Sequence, residues 1–197
     1  KNYKIVYYAF NFQNDFGENL EIRKNYFIDK KPFALLRKNY FKGRKSTVKI
    51  AQYLNFKEVK LDENIHFIKS NFKGLTKKND LVKFFNYLKF LEERNSLKLF
   101  ASFKEEQMTN LAIVISTENR FSLLGLVNDN DYRTDNGASF LIDRILRENI
   151  EHTDFDFMGS TIRGIEVFFK SFGSDLQEYG VIKNSLKDLL KNLLRKS

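Results

Sequence analysis

The residues best placed to do chemistry lie in the last third of the sequence. Asp154 and Asp156 alternate in the segment DFDF at 154–157, so on a strand both carboxylates share one face, with Phe155 and Phe157 on the other. A carboxylate at the open end of such a strand can accept a proton from an amine nucleophile. The competing use is a cap on the Gly159–Ser160 turn that follows, a common role for Asp. Upstream, the segment RTDNGASF places Gly137 and Ala138 where apolar residues begin to recur at helical spacing, with Arg133 just before them. Unpaired N–H groups and the macrodipole at a helix start favour an anion by about 0.3–1 kcal/mol, and Arg133 can add a charge-assisted contact. Otherwise Gly137 is a tight turn and Arg133 a solvated residue. Lys170 follows Val167, Phe168 and Phe169, a setting in which a lysine snorkels from the edge of an aromatic helix face. Tyr179 offers a phenolic proton for a leaving group, or simply fills a half-buried strand position. Ser160 has no histidine near it in sequence, which speaks against a covalent serine mechanism and for a helix-capping role.

A second candidate is electrostatic. Between Arg37 and Lys60 the cations Arg37, Lys38, Lys42, Arg44, Lys45, Lys49, Lys57 and Lys60 face a single acid, Glu58, with Tyr40, Phe41, Tyr53 and Phe56 interleaved. Lys42, Arg44, Lys45 and Lys49 form the candidate polyanion-binding block; the alternative is a solvated charged face. The whole chain has 34 Lys and Arg against 25 Asp and Glu, a net charge of +9, which favours contact with polyanions, acidic membrane surfaces or phosphate-bearing ligands.

Composition excludes other chemistries. Zero Cys removes disulfides, thiolate metal sites and Cys nucleophiles, and with only His66 and His152 a His-rich metal site is excluded as well. No Gly-x-Gly pair, Walker loop or His-Glu-x-x-His motif occurs, so nucleotide hydrolysis and zinc chemistry have no support. No run of about 18 apolar residues predicts a membrane-spanning helix, and the first residues lack a signal peptide's apolar block. These features predict a metal-free, cytoplasmic protein. The chain opens on Lys1 rather than Met, which predicts that it is cut from something longer.

The elements that must position these residues follow from periodicity. Pro32 starts a helix over about 32–41 that Gly43 ends, and Ser46 caps a second short helix carrying Thr47, Ile50, Ala51 and Leu54. A strand at 56–61 precedes a helix capped by Asp62 or Asn64 that reaches Gly74. Leu81, Phe84, Phe85, Leu88 and Leu91 stripe one face of a helix from Asp80 to about Asn95. Three apolar runs, 97–103, 111–116 and 121–127, separated by polar stretches, predict an antiparallel meander. An Asn136-capped helix, a strand at 154–157, a helix with Ile165, Phe168, Phe169 and Phe172 inward, and a strand at 177–183 come next. A basic helix with Leu186, Leu189, Leu190, Leu193 and Leu194 on one face closes the chain. The expected organisation is a basic N-terminal segment, 1–78, with short helices packing on a core formed by 79–197.

This order of elements from residue 80 onward is that of the GNAT acyltransferase core, and words in the sequence strengthen the likeness. The segment FDFMGSTIRGIEVFFKSFGSDLQEY, 155–179, resembles the closing signature of Fem-type aminoacyltransferases through Asp156, Phe157, Gly159, Ser160, Gly164, Phe169, Lys170, Phe172, Gly173 and Tyr179. The stretch LLRKNYFKGRKSTVKIA, 35–51, resembles the basic block found further upstream in those bacterial proteins. The resemblance implies an α/β (α+β) fold with a mixed, mostly antiparallel GNAT-like sheet flanked by helices. It also implies that this chain corresponds to the second of two GNAT-like halves, whose N-terminal half would be a partner.

The implied activity is transfer of an acyl or aminoacyl group from an acyl-CoA or aminoacyl-tRNA donor to an amine acceptor, without a metal. On this resemblance Lys170 stabilises charge near the donor, Asp156 and Tyr179 handle protons, and Arg133, Gly137, Ala138, Gly159 and Ser160 contact the donor. Three positions depart from the pattern. Arg133, Gly137 and Ala138 do not keep the spacing of the GNAT pyrophosphate loop. Phe169 stands where many GNAT enzymes have a Tyr acid, and Met158 where Fem-like signatures often have Glu. The departures favour a second expectation, a GNAT-like module that binds a partner without catalysing.

Overall fold

A computed structural model describes residues 7–10, 20–75, 77–160 and 162–185. In chain order it contains β1 (Tyr7–Ala9), β2 (Glu21–Ile28), α1 (Phe33–Asn39), α2 (Lys42–Ile50), β3 (Asn55–Val59), α3 (Leu61–Asn71) and α4 (Lys78–Glu93). There follow β4 (Leu97–Lys104), β5 (Gln107–Ser116), β6 (Arg120–Asn128), α5 (Gly137–Asn149), β7 (Asp154–Asp156), α6 (Arg163–Lys170) and β8 (Asp175–Lys183). The strands form one eight-stranded sheet in the order β1-β8-β2-β7-β6-β5-β4-β3. Every pairing is antiparallel except that of β6 with β7.

The expected meander is β4, β5 and β6, and its central strand is buried on both faces, which explains its unbroken apolar run. Leu111 and Ile113 of β5 point to one layer, with Leu61, Ile68, Phe85 and Leu88 of α3 and α4. Ala112 and Val114 point to the other, with Leu141, Ile142 and Ile145 of α5, Leu36 of α1 and the α6 aromatic residues. The period of two along the strand thus feeds two cores, and the helical stripes read from sequence supply both covers. The 3-10 turn that follows α2 joins the second layer through Ala51 and Leu54 against Phe140 of α5.

The structure revises several local expectations. Gly43 does not end α1; Tyr40 (ψ 139°) and Phe41 (ψ 147°) break the helix in extended conformation, and Gly43 lies inside α2. Ser46 is likewise interior to α2, where it cannot cap. Lys60, not Asp62 or Asn64, holds the N-cap position of α3, and both of those residues lie inside the helix. Asn136 does hold the N-cap position of α5, but in left-handed conformation (φ 58°), and its side-chain amide donates to the Thr134 carbonyl instead of capping. The leucine-striped terminal helix lies outside the described residues.

The segment before residue 79 does more than pack helices on a core. β2 sits between β7 and β8, and β3 forms the sheet edge beside β4. Across the expected boundary, Phe72 stacks on Phe84 with ring centroids 5.0 Å apart.

One contact in the second layer is electrostatically costly. Asp143 of α5 is fully buried and neither carboxylate oxygen has a hydrogen bond among the described residues; Arg147 is 3.7 Å away. Burial raises the Asp143 pKa, with Arg147, Arg37 and the neighbouring Tyr40 hydroxyl opposing. Because the folded pKa lies above the unfolded one, the native state holds this proton more tightly, and stability falls as pH rises from the unfolded value through the folded one. Asp143→Asn therefore gains stability relative to the parent at pH 7, and the gap narrows toward pH 4. Thermal unfolding of both proteins at the two pH values checks this; a gap that widens in acid contradicts it.

Candidate functional site

The site follows from how β7 leaves its neighbour. β6 and β7 pair in parallel over only three residues, Arg120↔Asp154 to Ser122↔Asp156. Beyond them the chain stays with β2, because Phe157 donates its N–H to the Tyr26 carbonyl. β6 bends in the other direction: its register against β5 slips between Ile113↔Gly125 and Val114↔Leu123, leaving Leu124 as an extra residue. The two strands splay, and an apolar cleft of about 700 Å³ opens between Leu123–Leu126 on one wall and Phe157 with the α6 residues Ile165, Phe168 and Phe169 on the other.

At Asn128 and Ala138 this cleft meets a second, of about 510 Å³, which is polar. Its walls are the loop after α3, carrying Lys73, and the N-terminus of α5, with Arg133, Gly137, Ala138 and Ser139. Arg133 lies in a short 3-10 segment, Asn130–Asp135, fixed to β4 by Lys104, whose ammonium is 3.1 Å from Asp135. Gly137 is required there: a Cβ would lie 1.7 Å from the Asn110 amide oxygen, so only glycine lets α5 approach β5 this closely.

Asn110 belongs to a buried polar chain. The Ser102 hydroxyl donates to the Asn110 Oδ1, and the Asn110 Nδ2 donates to the Asn128 Oδ1 at 2.7 Å, across the β5–β6 register pair Asn110↔Asn128. This fixes the Asn128 amide with its Nδ2 donors remaining at the junction of the two clefts. Sequence reading passed over both asparagines. The available signal was their position, each at the end of an apolar strand run where an unpaired amide would be costly.

A third, smaller cleft of about 220 Å³ lies on the other side of the strap Met158–Ser160 and is lined by Arg23, Lys24, Ile162 and Tyr179. The strap turns through two positive-φ residues, Met158 (57°) and Gly159 (75°). At Gly159 a Cβ would stand 2.1 Å from the Lys24 carbonyl. Ser160 accepts a hydrogen bond from the Ile162 N–H, as a residue leading into α6 would.

The residues expected to act together are only partly assembled. Arg133, Gly137 and Ala138 line the polar cleft, while Gly159 and Ser160 line both the apolar and the small cleft. Tyr179 lines the small cleft, and burial raises its pKa. Asp156 stands behind the strap: its carboxylate accepts the Met158 N–H at 2.7 Å and faces Arg120 at 3.7 Å. This is the turn-capping geometry. Asp154 similarly accepts the Lys30 N–H. Lys170 is exposed at the end of α6, its ammonium 5.8 Å from the Tyr26 ring, and lines none of the three clefts.

The basic block is also divided. Lys42 and Lys49 are exposed on α2, and Lys45 donates to the Lys38 carbonyl. Arg44 turns inward, donating to the Ser171 hydroxyl at 2.8 Å and to the Ser139 hydroxyl, with its guanidinium 4.4 Å and 4.6 Å from the Phe168 and Phe172 ring centroids. Burial holds its pKa down to about 10. Arg44 therefore ties α2 to α5 and α6 instead of joining a solvated polyanion face.

The turn assignment for Asp156 is testable. Asp156→Ala leaves the Met158 N–H without its acceptor and should cost about 1–3 kcal/mol in urea unfolding, whereas Asp156→Asn, which keeps an acceptor oxygen, should lose much less. Equal losses for the two variants contradict it.

Comparison with known proteins separates fold from family. No protein-family model matches the sequence, and no curated protein matches it. Among solved structures the chain is similar to FemX, with a TM-score of 0.67 and 14% identity over 96% of this chain and 68% of FemX. It is similar to L-PGS from Bacillus licheniformis at TM-score 0.53 and 11% identity, covering 96% of this chain and 66% of that one. A tandem GNAT protein from the clavulanic acid biosynthesis pathway follows at 0.52 and 9%, covering 83% and 53%. The chain thus has a Fem-like GNAT fold, with a mixed, mostly antiparallel sheet flanked by helices.

Proposed function

We propose that the joined clefts bind a phosphate-bearing thioester or ester donor, acyl-CoA or aminoacyl-tRNA, and that the domain serves transfer of its acyl or aminoacyl group to an amine. One observation carries this reading: a cationic cleft at a helix N-terminus meets an apolar cleft at a fixed amide, Asn128. The carrier's phosphates fit the α5 N-terminus and Arg133, the acyl group fits the apolar side, and the carbonyl falls between them.

In such a transfer the amine nitrogen attacks the carbonyl carbon, and negative charge develops on the carbonyl oxygen. The Asn128 Nδ2 is the donor suited to stabilise it. Collapse breaks the carbon–sulfur or carbon–oxygen bond, and the carrier leaves as thiolate or alkoxide. The proton lost by the amine returns to that leaving group. Tyr179, whose raised pKa keeps its hydroxyl protonated near neutral pH, suits a donor role on the side where the small cleft offers the acceptor an entry. A second GNAT-like half would complete the acceptor groove, as the 53% coverage of the tandem protein suggests.

The second reading, a binding module, is favoured by Lys170 standing off the clefts and by Phe169, buried against Phe157 at 4.5 Å with no proton to give. Thermal shift separates the two at their first step. A phosphate-bearing donor at a hundred times its Kd stabilises the fold by about 2.7 kcal/mol. Acetyl-CoA, coenzyme A or an aminoacyl-RNA mimic should produce such a shift, and Arg133→Glu should remove most of it. Asn128→Asp, which still accepts from Asn110 but lacks the donor, should keep binding and cut thiol release by about a hundredfold or more. No shift with any of the three ligands returns the domain to the binding-module reading.

A further inference from the structure

The apolar cleft says more about the transferred group than the fold does. Its lining contains no Asp, Glu, Lys or Arg, and its polar side chains are Asn128, committed in part to Asn110, and Ser160, which accepts from Ile162. The adjoining polar cleft contributes only positive charge, from Lys73 and Arg133. The acids of the flanking elements are already engaged, Asp156 by the Met158 N–H and Arg120 and Glu166 by Lys24 at 2.9 Å. An α-ammonium group brought here on an aminoacyl donor would find no carboxylate, and burying an unpaired ammonium is strongly unfavourable. A hydrocarbon group meets the opposite situation, with Leu123, Leu126, Phe157, Ile165, Phe168 and Phe169 on its two sides.

The cleft is also larger than an acetyl group needs, at about 700 Å³. Gly164 in the first turn of α6 lines it, and an added Cβ there would meet nothing within 4 Å. Apolar side chains continue past the rim: Met158 is 48% exposed and Ile162 63% exposed. The surface on which a longer chain would emerge is thus itself apolar.

We propose that the donor carries an apolar acyl chain of medium length or longer, attached to a phosphate-bearing carrier, and that the cleft between β6 and β7 selects it over both acetyl and aminoacyl groups. This rests on the donor-binding reading above and specifies its substrate class. Each methylene moved from water into the cleft should tighten binding about three- to fourfold until the cleft is filled.

The test is calorimetric titration of the whole chain with coenzyme A, acetyl-CoA, octanoyl-CoA, dodecanoyl-CoA, free octanoate and a non-hydrolysable aminoacyl-adenosine. The expected result is affinity rising at least about thirtyfold from acetyl-CoA to octanoyl-CoA, with octanoate and the aminoacyl nucleoside far weaker than octanoyl-CoA. Gly164→Phe fills the cleft where there is space for a side chain. It should abolish the chain-length gain while leaving coenzyme A affinity within about twofold, since coenzyme A itself has no acyl group to place. Ile165→Asp provides a second variant with the same expected loss of octanoyl preference.

Equal affinities for acetyl-CoA and octanoyl-CoA overturn the chain-length proposal while leaving the donor-binding reading intact. Tighter binding of the aminoacyl nucleoside overturns it in favour of aminoacyl transfer. Octanoate binding as tightly as octanoyl-CoA overturns it by removing the carrier from recognition. Absence of binding by every coenzyme A ligand and by the aminoacyl nucleoside overturns both this proposal and the reading on which it rests.

Discussion

The hydrogen bond from the Phe157 N–H to the Tyr26 carbonyl commits the chain after β7 to β2 at the point where pairing with β6 ends. A parallel pair released after three residues would otherwise leave two strands with unmatched backbone groups facing each other in a buried region. Here β7 satisfies its backbone on the β2 side, while the extra residue Leu124 bends β6 away. The gap between them is then walled by side chains alone. The strap Met158–Ser160, the aromatic face of α6 and the Gly137 end of α5 are all placed relative to that separation.

The same arrangement backs one side of the cleft with closely packed rings. Phe157 stacks on Phe169, which lies 6.1 Å from both Tyr26 and Phe168, and Phe172 packs on Tyr40. Arg44 closes the back of this aromatic group, reaching from α2 to hydroxyls on α5 and beyond the end of α6. A guanidinium between two phenyl faces is a stiff spacer, and it sets the distance between the helix whose N-terminus lines the polar cleft and the helix that lines the apolar one.

How much of this was legible depends on the range of the interaction. The meander β4–β6 was readable because its strands are consecutive and their apolar runs fall between turns. β7 was readable from DFDF, and the α5 start from Gly137, because each depends on neighbours in sequence. β2 was not readable: its partners are Asp175–Val181 and Phe155–Asp156, far along the chain, and its first four residues, EIRK, are exposed or half-buried and carry three charges. Arg44 looked like one more member of a basic run because nothing local shows that Ser139, Phe168, Ser171 and Phe172 converge on it. Lys170 was placed by resemblance, yet its ammonium lies over Tyr26, on a strand the sequence had not revealed.

The position of β2 has a consequence for biogenesis. Its register partners are Phe155 and Asp156 on β7 and Asp175 to Val181 on β8, so β2 stays unpaired until more than a hundred further residues have been synthesised. Until β7 emerges the meander and its helical covers can form, but β6 has no neighbour on that side. Long-range pairing of this kind is slow, and the unpaired edge of β6 with its leucines would remain open to other chains meanwhile. The apolar cleft is therefore among the last features of the domain to exist, and during synthesis its future walls are a sticky surface in need of protection.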